Sequence, residues 1–347
     1  MANIRDISFA SFNLYNLQLP GEPWRSTPYT EAQYAAKIAW SAQAVRALDA
    51  DVIVFQELWS PQCLRDLFGA ARGMGEYQLA FLREEGWYDI AVALAVRKPW
   101  TIRAQHNHKA FPDSFVMQKR PVERDGDNED QDDDIEVLID EFSRTVIQAS
   151  IGHEQVTALP PIEVFATHLK SKLPTRLDAA EAGRPEVRAH STALGAALST
   201  VRRTAEAAAL RIILNGVMRG TDVPVAVVGD FNDGPASNTL AILTEHPSYR
   251  FYVDSRAGRT TDRGLYVAGA LQQLRSFRDV NYTHIYKGEH DSLDHVLVSE
   301  QFYDHAEKHL WTFREMRCWN DHLAEDADPG ATDHGLVRAR FDYNPAR

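Results

Sequence analysis

Six short polar clusters stand at the edges of apolar runs in this chain. Ser11-Phe12-Asn13-Leu14-Tyr15-Asn16 follows the first run, Gln56-Glu57 the second, and Thr167-His168-Leu169-Lys170-Ser171-Lys172 a third. Gly229-Asp230-Phe231-Asn232-Asp233 follows a fourth, Ser292-Leu293-Asp294-His295 opens another, and Thr332-Asp333-His334 precedes the last. Charged groups at the ends of buried strands are costly unless they meet partners or a ligand, so several in one chain point to a site. The oxygen donors of Asn13, Glu57 and Asp333 are hard ligands that suit Mg2+ or Mn2+, and no thiolate cluster competes with them. A divalent ion there can polarise a phosphoryl oxygen and steady a leaving oxygen. His334 is a candidate base, provided a carboxylate such as Asp294 holds its other ring nitrogen. Asp230 and Asn232, two apart, can orient a water and hold a phosphate oxygen. His168, with Lys170 nearby, can stabilise charge that develops on the phosphate or leaving group.

Taken singly, each cluster has a plainer reading. Gly-Asp-Phe-Asn-Asp-Gly is a good β-turn, because Asp, Asn and Gly are turn residues. Gln-Glu after a strand commonly starts a helix, and in a chain with 13 histidines most Asp-His pairs carry no meaning. The signal is the set of six, each on a strand edge.

The elements that must position these clusters are legible in the patterning. Ile7, Phe9 and Ser11 alternate as in a strand. Thr30-Glu31-Ala32-Gln33 has the form of a capping box, and Tyr34, Ile38, Ala42, Val45 and Leu48 follow at helical spacing, which predicts an amphipathic helix over 31–48. Asp51 to Gln56 is a short, continuous, β-branched run, the mark of a strand buried on both faces. Residues 90–96 form another strand, stopped by Lys98-Pro99. Further strands are expected at 145–149, 163–167, 225–228, 294–298 and 335–341. Pro185 is expected to open a long helix with Val187, Leu194, Leu198, Val201, Ala205, Ala208 and Ile212 on one face. Strands and helices interleave without a repeat or a Gly/Ser linker, which predicts one α/β domain over 1–347.

Composition adds bounds. The chain has 347 residues, 44% of them hydrophobic, enough for a sizeable core. No apolar run approaches a membrane span, and the N-terminus reads directly as a strand rather than an export signal, so a cytoplasmic location is expected. Cys63 and Cys318 read as ordinary thiols; Cys318 and His322 are spaced C-x3-H, without a second ligand pair. The net charge is −12, but residues 123–141 carry eleven acids and one base, a local −10 that leaves −2 for the rest. The bulk surface is therefore near neutral, and a polyanionic substrate is not excluded.

The ordered set of clusters resembles the endonuclease/exonuclease/phosphatase (DNase I-like) family. The matching pieces are SFNLYNL, VIVFQELW, FATHLKSK, VVGDFNDGPAS, SLDHVLVS and TDHGLV, which run from residue 9 to 337. The resemblance implies a four-layered α/β sandwich, two packed mixed β-sheets flanked by helices, and Mg2+-dependent hydrolysis of phosphate esters. Position by position it implies that Asn13 and Glu57 bind metal and that Asp333 is the metal-or-base aspartate. His334 falls on the histidine that contacts the attacked phosphate or takes the water's proton, and Asp294 on the carboxylate that orients it. Asp230 and Asn232 match the pair that positions nucleophile and phosphate, and His168 matches a second histidine of DNase I-like and sphingomyelinase-like members. Arg144, before the strand at 145–149, resembles the family's phosphate-binding arginine. Where some members have an acid two residues after the first Asn, this chain has Tyr15, which leaves one carboxylate fewer for a second ion.

His168 to Lys172 and Tyr282 to Glu289 look most like bacterial nuclease members, so DNA, and secondarily RNA, is the expected partner. A small or lipid phosphoester is the alternative, although no apolar hairpin suited to a bilayer is visible. Against a nuclease, Arg202-Arg203 and Lys170/Lys172 make only a modest basic surface. A binding protein that lost catalysis is disfavoured, because the eight residues Asn13, Glu57, His168, Asp230, Asn232, Asp294, Asp333 and His334 are all intact. Trp24, Trp59, Trp87, Tyr88 and Trp319 could line a groove for bases, though such residues are more often loop anchors.

Residues 125–136 loosely imitate a calcium loop, with acids at positions 1, 3, 5 and 12, but Asp130 stands where glycine is required and Asp132 where an apolar residue belongs. The segment reads as a solvated acidic insertion. If it screens the cleft electrostatically, deleting 124–134 will raise hydrolysis of polyanionic substrates at low salt. Unchanged rates on every substrate would remove that role.

Overall fold

The computed structural model describes residues 3–24, 26–71, 73, 75–82, 90–119, 135–250, 256–276, 281–287, 289–323, 328 and 330–345. Trp87, Tyr88 and the acidic stretch from 123 to 134 lie outside these. Two six-stranded mixed sheets form the centre of the molecule. The first runs β15 (Trp311–Trp319), β16 (Leu336–Tyr343), β1 (Ile7–Leu17), β2 (Val52–Leu58), β4 (Ala91–Arg97), β3 (Tyr77–Phe81). The second runs β11 (Tyr266–Val267), β14 (Asp294–Val298), β10 (Val225–Asp230), β9 (Ile162–His168), β8 (Glu141–His153), β5 (Trp100–Ala110). Two short ribbons pair β6 (Gln118–Lys119) with β7 (Ile135–Glu136), and β12 (His284–Tyr286) with β13 (Glu289–Asp291).

The β-branched runs explain the layering. A strand sends alternate side chains to opposite faces, so a run that is apolar throughout must be covered twice. Ile7, Phe9, Val52, Val54 and Leu94 meet Ile147, Val164, Ala166, Val228 and Val296 between the sheets. The alternate residues Ala10, Phe12, Ile53 and Phe55 face α1 (Glu31–Leu48) and α2 (Pro61–Ala70) through Ile38, Val45, Leu48, Leu64 and Leu67. On the far side Phe165, Val227 and Leu297 face α5 (Ser191–Met218) and α6 (Asn238–Thr244) through Ala209, Leu210, Leu214 and Leu240. The order helix, sheet, sheet, helix is the expected four-layered α/β sandwich.

Most predicted elements fall within a few residues of their expected ends. Thr30 forms the full capping box at the start of α1, with its hydroxyl accepting from the Gln33 N–H. The long helix differs. Pro185 opens a separate short helix, α4 (Pro185–Arg188), which follows α3 (Ala179–Gly183), and α5 begins at Ser191. Its expected apolar stripe is not the buried one in the first half: Leu194, Leu198 and Val201 face solvent, while Ser199, Arg203 and Glu206 are buried. The reason is that the neighbouring surface there is loop backbone, which needs hydrogen-bond partners, and not an apolar sheet. The remaining helix, α7 (Ala268–Arg275), packs by β14 and β15.

Gly229 fixes the spacing of β9 and β10 just before the site. A Cβ there would fall 1.9 Å from the Thr167 carbonyl oxygen, and φ is +152°. Gly229→Ala must therefore push the two strands apart, at a cost of about 2–3 kcal/mol. Urea denaturation will show this as a lower midpoint with an unchanged slope; a shift below about 0.5 kcal/mol would mean the strands yield freely.

Candidate active site

Strand register brings the clusters together. Asp230 is the register partner of both Asp294 on β14 and His168 on β9, and Asn13 that of Gln56 in the first sheet. All these positions lie at one end of the sandwich, where the two sheets meet. His334 enters from the turn before β16 and is buried. Its Nδ1 lies 2.8 Å from Asp294 Oδ2, and its Nε2 is 3.9 Å from Asp230 Oδ2. His168 Nε2 approaches the same Asp230 oxygen at 3.4 Å, and the Asn13 amide donates to it at 3.2 Å. Ser11 Oγ reaches Asp294 Oδ1 at 3.5 Å from the opposite sheet.

The backbone is shaped to hold these groups. Asp230 Oδ1 accepts the Asn232 N–H at 2.8 Å, which sets Asn232 in the left-handed region at φ +53°. The Asn232 amide donates to the Leu169 carbonyl at 3.1 Å, and Arg144 donates to the same oxygen at 3.1 Å. Arg144 is thus buried behind the His168–Lys172 loop. Glu57 also has positive φ, +59°, and its Oε2 accepts the Asn16 N–H at 3.0 Å. Thr332 donates to the Asn13 carbonyl at 2.7 Å, tying the last cluster to the first. Asp333 is exposed at the mouth. Thr283 Oγ1 accepts both the Leu293 and Asp294 N–H groups, so the Tyr282–Glu289 stretch orients the residues that hold His334.

Electrostatics follow from this burial. Desolvation pushes the Asp230 carboxyl up, opposed by His334 and reinforced by Asp294, to about 7. Glu57 is likewise raised by burial, with His334 opposing and Asp333 adding to the rise. Burial alone would lower His334, but the charges of Asp294 and Asp230 outweigh it and hold the ring well above the ordinary histidine value. Among the described residues, no Lys or Arg forms an ion pair with Glu57, Asp230, Asp294 or Asp333. Four carboxylates without a paired Lys or Arg leave a deficit of positive charge, and the donors are hard oxygens, so the residues fit a divalent cation. Ligand atoms already lie within 4.8 Å of one another in two groups, Asp230–Asp294–His334 and His284–Asp333–His334.

The sequence reading did not single out three residues here. His284 sits 5.1 Å from the His334 ring, and burial together with the His334 charge lowers its proton affinity. Glu206, buried on α5, accepts the Ser143 and Lys170 N–H groups, each at 2.8 Å. Lys37, on α1, is buried near Glu57 and Asp333. Its spacing from Tyr34 and Ser41 places it on the buried stripe, a signal available in the sequence. Of the aromatics, Trp59 is an anchor, bonding Asn16 Oδ1 at 3.0 Å, and Trp319 stacks under Arg338.

The fold and the carboxylate-histidine site define a hydrolase of the phosphoesterase class. The chain belongs to the Endonuclease/Exonuclease/phosphatase family, whose profile matches residues 10–334. It is similar in structure to a family member from Bacteroides vulgatus, with TM-score 0.54 at 15% identity, covering 98% of this chain and 99% of that one. It is also similar to a humanized TDP2 of D. rerio, with TM-score 0.53 at 14% identity over 97% and 99% of the two chains. A mannosyl-6-phosphatase from Bacteroides thetaiotaomicron matches with TM-score 0.55 at 13% identity over 97% and 100%. No curated protein shows a significant sequence match. No helix among the described residues is long and apolar enough to cross a membrane.

The raised Asp230 carboxyl makes a stability prediction. Its folded value, about 7, lies above the ordinary 3.8, so the unfolded chain loses this proton first and stability falls as pH rises from about 4 to 7. Asp230→Asn removes that penalty. In EDTA at pH 8 the variant will melt a few degrees above wild type by calorimetry, and the gain will vanish near pH 4. A lower melting temperature at pH 8 would contradict it.

Proposed function

We propose that this protein is a divalent-metal-dependent phosphodiester hydrolase that cuts nucleic acid, DNA before RNA, by attack of water on phosphorus. The buried His334–Asp294 hydrogen bond of 2.8 Å, facing Asp230, carries the reading. Asp294 fixes the ring so that Nδ1 is engaged and Nε2 is turned toward the reaction centre. The surrounding carboxylates favour a charged ring, which suits His334 to donate to a phosphoryl oxygen. Asp230, with a proton affinity near neutrality, suits the removal of a proton from the attacking water. Asn232 and His168 flank Asp230 and would hold the phosphate, with Arg144 supporting their loop from behind. Glu57, Asp333 and the Asn13 side-chain oxygen would hold Mg2+ or Mn2+. The ion, when bound, polarises a phosphoryl oxygen and steadies the leaving oxygen.

A smaller phosphoester is the second reading, and one observation favours it. The lysines beside the site are engaged: Lys172 pairs with Asp291 at 2.8 Å, and Lys170 Nζ bends back to the Leu173 carbonyl at 3.1 Å. A long polyanion would find few open cations along this loop.

Supercoiled plasmid, incubated with Mg2+, Mn2+, Ca2+ or EDTA, separates the readings. Wild type is expected to nick it with Mg2+ or Mn2+ only, and His334→Ala and Glu57→Ala to lose at least about 100-fold in rate. A folded wild type that spares plasmid yet hydrolyses bis-p-nitrophenyl phosphate would move the substrate to a small ester. Inactivity on both would overturn the reading.

A further inference from the structure

Lys37 is an unusual residue for the middle of a helix. Its side chain is only 4% exposed. No hydrogen bond or ion pair to any described residue reaches its ammonium. It rests 5.1 Å from the Tyr15 ring centroid and 5.9 Å from that of Tyr29. An ammonium offers three donors and is strongly hydrated, so burying it against two ring faces leaves most of its hydration unreplaced. A helix could fill this position with leucine at no such cost.

The surroundings indicate what the charge is for. Burial drops the Lys37 ammonium to about 8, while Asp333 and Glu57 pull in the other direction. Both carboxylates belong to the candidate metal site, so Lys37 lies within its field. Tyr15 feels the same two acids, and its backbone N–H donates to Asn13 Oδ1 at 2.9 Å. Tyr15 thus joins the lysine to Asn13, and it is 42% exposed, at the mouth. Tyr29 stacks on Trp24 at 5.4 Å and closes the other side. Glu57 and Asp333, if they held a divalent ion, would compensate Lys37 less. The ammonium then needs an anion, and the substrate's phosphate is the anion that the site must admit.

We propose that Lys37 is a substrate-binding residue whose ammonium takes a phosphate oxygen of the ester on the Glu57–Asp333 side of the site. The assignment rests on the phosphoester reading above. It places a fixed protein charge beside Tyr15, the position at which a further carboxylate could have served a second ion.

Calorimetric titration of Mg2+, followed by inorganic phosphate in saturating Mg2+, tests this on wild type, Lys37→Met and Lys37→Arg. The Met variant is expected to lose about 10- to 100-fold in phosphate affinity, the worth of one charge-assisted hydrogen bond. Its Mg2+ affinity should be unchanged or tighter, its melting temperature maintained, and its KM for bis-p-nitrophenyl phosphate raised, with Arg recovering part of each loss. Phosphate affinity equal to wild type in a folded Met variant overturns the proposal, as does a joint fall of Mg2+ affinity and melting temperature, which would make Lys37 a structural counter-ion. If Lys37→Met does not fold, acetylation of wild type read by mass spectrometry decides. Protection of Lys37 by phosphate with Mg2+ but not by Mg2+ alone supports the proposal, and no protection by phosphate overturns it. A wild type that hydrolyses the diester while failing these tests loses only the Lys37 assignment; one that neither hydrolyses it nor binds phosphate loses both.

Discussion

The crowding of carboxylates at the shared end of the two sheets is the constraint on which the rest depends. Asp230 and Asp294 are register partners on adjacent strands, both fully enclosed, and Glu57 faces them from the other sheet. Water would ordinarily separate such charges. Here His334 takes part of the load, and the remainder sits as raised proton affinity on Asp230 and Glu57. An arrangement that a metal-free protein tolerates only by holding protons is one that a divalent cation would relieve. The same charges that make the site costly to fold make it receptive to an ion and a water.

The helix layer on one side has been adapted to that end. The first half of α5 turns Ser199, Arg203 and Glu206 inward, against loops instead of against a sheet. Ser199 donates to the Leu173 carbonyl, Arg203 to the Lys170 carbonyl, and Glu206 accepts the Lys170 and Ser143 N–H groups. These bonds satisfy backbone groups that no strand can reach, and they fix the loop carrying His168. The second half of α5, with Leu210 and Leu214, is an ordinary core face. One helix therefore performs two tasks, and its apolar periodicity describes only the second.

This explains what the sequence made legible. Continuous β-branched runs such as Val52 to Phe55 gave the buried strands, and the polar residues terminating them gave Asn13, Glu57, His168, Asp230, Asp294 and His334, which the fold does bring together. Period and composition see whether a residue departs from its local pattern. Glu206 does not: four residues after Arg202, it looks like a surface ion pair, and only the loops above it make it buried. Leu194 and Leu198 mislead in the opposite sense, because a loop-facing helix turn buries its polar side and leaves leucines in solvent. Lys37 did stand out of pattern, on the stripe between Tyr34 and Ser41, but a lysine that snorkels is a common exception to such stripes. Distinguishing the two needs the position of Tyr15 and Asp333 in space.

The backbone itself records where the sequence was bent to the site's needs. Of the eight non-glycine residues with positive φ among those described, Tyr15, Asn16, Glu57 and Asn232 belong to the site, and Asp49 and Glu245 end helices, where such a conformation is usual. For Glu57 and Asn232 no helix end explains it. Each is held by hydrogen bonds: Glu57 accepts the Asn16 N–H of a neighbouring cluster, and Asn232 donates its N–H to Asp230 within its own cluster and its side-chain amide to the Leu169 carbonyl of another. A side chain at the end of a regular strand points to one face or the other, toward the inter-sheet core or toward the helices. Turning the chain through the left-handed region interrupts that alternation, and at Glu57 it coincides with a register irregularity of β2 against β4 between Phe55 and Leu58. The strain of about 1–3 kcal/mol that such a residue can carry is sustained by the packed sheets beneath it. The sandwich is thus rigid enough to hold charges and backbone where neither would settle alone, and that rigidity is what its doubly covered, β-branched strands supply.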